Sequence, residues 1–181
     1  AANVAAGAYW AARGHLKLQD PAQVSRWLRL AAIHPRSFYG LLAHRNLGTV
    51  PQFEFGGDGL SDDMQARLEA KGASSRAMAL VQVGQLQRAE AEIMGYGTIK
   101  TQEEAEALLR LSDLGRLPRS AFKLGNLVAY GSLDGDGGDL PIDAALYPIP
   151  PWQPADGFKL DKALIYALIR QESAYNPEAI S

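Results

Sequence analysis

Ala77-Met78-Ala79-Leu80-Val81-Gln82-Val83-Gly84-Gln85-Leu86-Gln87-Arg88-Ala89-Glu90-Ala91-Glu92-Ile93 reads as two short helices turned about one glycine. The first runs from Ser74 to Val83 and the second from Gln85 to Met94, forming a helical hairpin around Gly84. The same grammar repeats on either side. Upstream, Asp20-Pro21 marks a helix start, because Asp accepts from free amides and Pro suits the first helical position. Val24, Trp27, Leu28 and Ala31 form its apolar stripe, and Pro35 breaks it. An earlier helix spans about Ala5 to Leu18 and carries Tyr9, Trp10 and Leu16. A later one begins at Phe38 and ends near Gly48, a left-handed C-cap. Thr49 to Gly59 reads as a loop, and Ser61-Asp62-Asp63 starts a helix that Gly72 is expected to stop. Downstream, Thr101-Gln102-Glu103-Glu104 is a capping box, followed by Ala105, Leu108, Leu109 and Leu111. Pro118 opens a helix that runs to about Tyr130.

No strand alternation is sustained, so the fold class is all-α. Paired short helices with tight turns point to a solenoid-like stack. Ala77 to Ile93 resembles a tetratricopeptide-type pair, with Leu80, Gly84 and Ala89 at the small or apolar positions. No clean 34-residue period is present, so residues 1–146 are expected to form an irregular α-helical superhelix.

The 181 residues are 47% hydrophobic and 21% charged, which fits a globular chain and opposes broad disorder. Eighteen Lys+Arg against 20 Asp+Glu give a net charge of −2, which opposes a generally cationic nucleic-acid binder. No run reaches the roughly 18 apolar residues of a membrane span. Without cysteine there are no disulfides, thiolate metal sites or cysteine nucleophiles. His15, His34 and His44 are too scattered for a metal cluster. Gly131 to Asp139, GSLDGDGGD, lacks the calcium-loop ligands at Gly138 and Ala145 and reads as a flexible linker. No metal or organic cofactor is expected. Ala1-Ala2-Asn3-Val4 lacks the basic and apolar regions of a signal peptide.

Tyr147 to Pro154, YPIPPWQP, holds four prolines and is an extended spacer, so a domain boundary is placed here and residues 147–159 are read as a linker. Residues 160–181 then carry one more helix, Leu160 to about Tyr175, with Asp161 as N-cap and an end before Asn176-Pro177. Ile165, Leu168 and Glu172 share a face. A glutamate buried on an apolar stripe near a helix C-terminus would be pushed toward the protonated form, which suits a general acid, but periodicity by itself favours the plainer account, since most charged residues are solvated. Pairing with Arg170 or a solvated helix margin is the competing account of Glu172.

Ala167 to Ser181, ALIRQESAYNPEAIS, resembles the first signature of the soluble lytic murein transglycosylases. The pattern is Arg-Gln-Glu-Ser, an aromatic two residues beyond, Asn-Pro, and a Ser nine positions after the Glu. Tyr147 to Trp152 is similar to that family's entry into its catalytic domain. Tyr9-Trp10-Ala11-Ala12-Arg13 and Ser37-Phe38-Tyr39-Gly40-Leu41-Leu42-Ala43 are similar to its helical superhelix. The resemblance implies a lysozyme-like catalytic segment and non-hydrolytic cleavage of the MurNAc-β-1,4-GlcNAc bond of peptidoglycan, giving a 1,6-anhydro end in the periplasm. It implies Glu172 as the catalytic acid and base, and Ser181, Tyr175 and Ser173 as residues at or near the substrate. Tyr175 serves packing or sugar stacking equally well. The family continues with a Gly-Leu-Met-Gln segment and later motifs, and these 181 residues stop before them. The lysozyme-like segment is therefore expected to be truncated, its helix to dock, pair or fray, and the chain itself to be inactive. Two other functions compete: a helical-repeat scaffold binding peptides or glycans, with Trp10, Trp27, Arg13, Arg26 and Arg29 available, and a water-using hydrolase. The tryptophans are expected in the core.

Overall fold

The computed structural model describes residues 2–55, 59–131, 133–134 and 142–180. Ten helices lie among the described residues: α1 (Ala2–Lys17), α2 (Pro21–Ala32), α3 (Phe38–Leu47), α4 (Asp62–Glu69), α5 (Gly72–Gln82), α6 (Leu86–Met94), α7 (Gln102–Leu114), α8 (Pro118–Tyr130), α9 (Asp143–Leu146) and α10 (Lys162–Ser173). The only strand-like pairing among them is an isolated parallel bridge between Thr101 and Asp134. The protein is all-α. Contacts divide it into two compact units, residues 1–53 and 54–181. The division drawn from sequence between 146 and 147 falls inside the second unit.

In the first unit, α1, α2 and α3 meet on small residues. Ala8, Ala12, Ala31 and Ala43 are buried with Leu28, and Tyr9, Val24, Trp27 and Leu47 pack around them. Alanine lets helix backbones approach closely, and the aromatic side chains fill the margins. Asp20 caps α2 by accepting from the Gln23 amide at 3.2 Å. Ser37 caps α3, and Gly48 closes it at φ 67°. Gly40 sits where α3 passes the end of α2. The His34 carbonyl accepts from both the amide and the hydroxyl of Ser37, and a Cβ at Gly40 would overlap that oxygen. The tryptophans divide. Trp27 packs on the core, whereas Trp10 is 60% exposed, a correction to the core position expected from its helical spacing. Periodicity places residues on a face and does not say whether another helix covers that face.

In the second unit α7 is central. Leu108 and Leu111 are fully buried, and Leu68, Ala77, Ala89, Ile93, Leu117 and Leu124 converge on the same core. Each such leucine stabilises by roughly 1.5–3 kcal/mol relative to exposure. The α5–α6 hairpin turns at Gly84, whose φ of 73° is left-handed backbone that glycine adopts without strain. Gly72 does not stop α4. That helix ends at Glu69, and Gly72 is the first residue of α5. The corner is held instead by the Ser74 hydroxyl, which donates to the Leu68 and Lys71 carbonyls at 2.6 and 3.0 Å. Thr101 accepts from the Glu104 amide at 3.3 Å, one half of the capping box. The Glu104 carboxylate accepts from the Lys100 amide, the Tyr96 hydroxyl and Lys71. The N-terminus of α8 is capped across the core, where Glu90 Oε1 accepts from the Arg119 and Ser120 amides, both at 3.1 Å. A carboxylate there also meets the positive end of the helix dipole.

The short α9 was not legible in the sequence. Its Asp143 is fully buried and accepts from the Glu54 amide at 2.9 Å. Tyr147 to Pro154 contains no helix, as four prolines dictate. Most of the 131–139 run lies outside the described residues.

Candidate functional site

The site is built at the C-terminal end of α10. Asp161 caps the helix by accepting from the Ala163 amide at 2.8 Å. The helix stops at Ser173, earlier than Pro177 alone demands. Ala174 and Tyr175 both adopt left-handed backbone, φ 47° and 64°. Neither is glycine, and each such residue costs on the order of 1 kcal/mol. Burial of the Tyr175 side chain offsets that cost. It is 1% exposed, and its ring meets Phe122 at 5.7 Å with planes 67° apart. Asn176 then organises the exit. Its side-chain oxygen accepts from the Glu178 amide at 3.2 Å, and its carbonyl from the Ala179 amide at 3.3 Å. The Asn-Pro pair is thus a turn, with Pro177 presetting its own φ.

Arg170 fixes the helix from one edge. Its Nε–H donates to the Leu146 carbonyl at 3.0 Å. Its guanidinium stands 4.8 Å from the Phe122 ring centroid and 5.0 Å from that of Tyr147. A cation between two aromatic faces is attracted by both ring quadrupoles. No residue within α10 is itself fully buried, so the helix docks through Arg170 and the Tyr175 turn rather than through a packed face.

Glu172 lies on the open side. It is exposed, in line with Leu164 and Leu168, which are 53% and 52% exposed. It makes no hydrogen bond or ion pair among the described residues. Glu172 therefore lies at a solvated helix margin, the plainer of the two accounts the sequence offered, and is not buried in an apolar stripe. Ile165 and Ile169 are half-buried, but the stripe continues onto a surface that no described residue covers. Pairing with Arg170 is also not found among the described residues; Arg170 turns instead to the Leu146 carbonyl and the Phe122 and Tyr147 rings.

The remaining candidates separate. The Ser173 hydroxyl donates back to the Ile169 carbonyl at 2.9 Å, a local helix-end bond. Tyr175 is a packing residue rather than an open stacking platform. Burial pushes its phenol pKa up, against the opposing influence of the Arg170 charge. Ser181 lies outside the described residues. Sequence reasoning missed Arg170 as an anchor, because its two ring partners are remote in the chain. Among the described residues, no group of three or more His, Asp or Glu side chains could hold a metal ion, and no helix is long and apolar enough to cross a membrane. Comparison of the chain with protein-family models, with curated proteins and with solved structures returned no match.

Proposed function

We propose that the protein is a peptidoglycan lytic transglycosylase of the periplasm, in which Glu172 is the acid and base. The observation that carries this reading is the placement of Glu172 in Arg170-Gln171-Glu172-Ser173. It stands at the end of a helix whose opposite edge is anchored, with its carboxyl open to a large substrate. Anchoring by Arg170 and Tyr175 keeps that carboxyl on a defined backbone, as positioned catalysis requires.

In the proposed reaction Glu172 gives its proton to the glycosidic oxygen, and the bond from C1 of muramic acid to that oxygen breaks. The resulting carboxylate takes the proton of the C6 hydroxyl, whose oxygen bonds to C1. The products are a free hydroxyl on the departing sugar and a 1,6-anhydro ring, and no water is consumed. The substrate acetamido group stands in for the second carboxylate that most glycosidases use. Glycan strands are the partner. The superhelix expected over residues 1–146 would brace them.

The test is digestion of purified sacculi with mass analysis of the products. A chain carrying both these residues and a Gly-Leu-Met-Gln-like segment should give anhydro ends, and Glu172→Gln should lose them by at least about a hundredfold. The 181 residues alone should give none. Unchanged turnover in Glu172→Gln overturns the assignment, and reducing ends in place of anhydro ends make the enzyme a hydrolase.

The scaffold reading, without chemistry, is favoured by one observation in the first unit. Tyr9, Trp10, Phe38 and Tyr39 form a chain of ring contacts, and Trp10 and Phe38 are 60% and 69% exposed. Glycan binding by the isolated chain that disappears in Trp10→Ala, with no activity in any longer form, would select it.

A further inference from the structure

A groove of about 780 Å³ runs between the proline-rich 147–153 segment and α10. Its lining includes Arg116, Lys162 and Arg170 and no carboxylate side chain. In a chain of net charge −2, three cations on one concave surface are a local feature. None of the three forms an ion pair among the described residues. Lys162 stands over the Phe158 ring at 5.1 Å, and Arg170 is held between its two rings. The charges of Lys162 and Arg170 are therefore positioned by aromatic faces, and all three cations stand without a counter-charge among the described residues. Arg170 uses its Nε–H on Leu146, which leaves the outer donors of the guanidinium for another acceptor.

We propose that this groove binds a carboxylate-bearing peptide. The identification of that peptide as the stem borne by muramic acid rests on the transglycosylase reading. Charge complementarity supplies the first argument, because an uncompensated cation cluster favours an anion and a carboxylate matches guanidinium geometry. The walls supply the second. Pro150, Pro151 and Tyr166 present rigid apolar surface suited to small aliphatic side chains, and the Gln153 and Gln171 amides can both donate to and accept from peptide groups. A neutral sugar would leave the cations unmatched, and a bare phosphate would leave the apolar walls unused. Glu172 is not among the lining residues, so the same helix offers one edge to the peptide and its open side to the glycan.

The probe is the synthetic peptide L-Ala-γ-D-Glu-L-Lys-D-Ala-D-Ala, titrated into the 15N-labelled 181-residue chain. The controls are the same peptide with its carboxyls amidated, the peptide-free disaccharide and inorganic phosphate. The acid peptide should shift the amide resonances of Gln153 and of 162–167, and amidation should weaken it about tenfold or more, as expected for lost charge-assisted bonds. The double variant Arg116→Gln with Lys162→Gln should weaken it by a similar factor while unfolding at an unchanged urea midpoint. Absence of shifts at millimolar peptide overturns the proposal. So does equal binding of the amidated peptide, retention of affinity in the double variant, or equally strong binding of phosphate. Sacculus digestion scores the transglycosylase reading separately. Peptide binding by the 181 residues with no anhydro products from the longer chain that carries the Gly-Leu-Met-Gln-like segment leaves the groove standing and sinks that reading, and anhydro products from the longer chain without peptide binding sink only the groove.

Discussion

The Arg170 guanidinium lies 4.8 Å from the centroid of the Phe122 ring, which joins the helix bearing Glu172 to α8. The same side chain reaches Tyr147 and the Leu146 carbonyl, so one residue ties α10 to both α8 and α9. Arg170→Ala should destabilise the docked helix by about 1–3 kcal/mol, through loss of cation–π and hydrogen-bond contributions. Hydrogen exchange across 162–173 should accelerate while α7 stays protected. Arg170→Lys should fall between, since an ammonium keeps the charge but lacks the planar fork. Unchanged exchange in Arg170→Ala would show that the helix is held by something else.

Tyr175 separates packing from sugar stacking. Its ring is buried against Phe122, so Tyr175→Phe should leave the urea midpoint nearly unchanged and Tyr175→Ala should cost about 3 kcal/mol. Glycan affinity should not change in Tyr175→Phe. A variant that kept full stability as alanine but lost glycan binding would reverse this assignment.

Gly40 and Gly48 should respond differently to alanine. At Gly40 the new Cβ overlaps the His34 carbonyl oxygen and stands 2.7 Å from its carbon, both backbone atoms that cannot rotate aside. Gly40→Ala should therefore destabilise the first unit by several kcal/mol. At Gly48 the space is open and only φ 67° opposes a side chain, a cost of about 1 kcal/mol. Thermal unfolding of the two variants, followed by intrinsic fluorescence in a Trp10→Phe, Trp152→Phe background that leaves Trp27 as the reporter, tests the ordering.

Glu104 should make the second unit acid-sensitive. Burial pushes its pKa up, but hydrogen bonds from Lys71, Tyr96 and the Lys100 amide outweigh that and hold it below the ordinary carboxylate range. A carboxylate with a depressed folded-state pKa contributes stability that is fully present above its unfolded value, near 4.3, and is lost as pH falls through the lower folded value. Lys71 has the opposite sign. Its pKa is raised, chiefly by Glu104, so its contribution is full below about 10.4 and is lost as pH rises through the higher folded value. Glu104→Gln should lower stability at pH 7 by about 1–2 kcal/mol and flatten the stability profile in acid below about pH 4. A variant whose acid profile matched the parent would remove Glu104 from this role.

Local chemistry by itself determined the all-α class and most helix bounds. Asp20-Pro21, Thr101 with Glu104, Gly48, Gly84, Pro118 and Asp161 each act within one turn of their own position, where capping hydrogen bonds and left-handed backbone depend on neighbours in sequence. The prominence of Glu172 was likewise legible from its local run. Its exposure was one of the accounts the sequence offered, but spacing alone could not select it. Spacing grouped it with Ile165 and Leu168, but which faces of a helix are covered depends on elements elsewhere in the chain. The same holds for the exposed Trp10, the buried Asp143, the Glu90 cap on α8 and the ring pair around Arg170. Only the tertiary structure decided these, because each rests on contacts between residues distant in sequence, which no local pattern records.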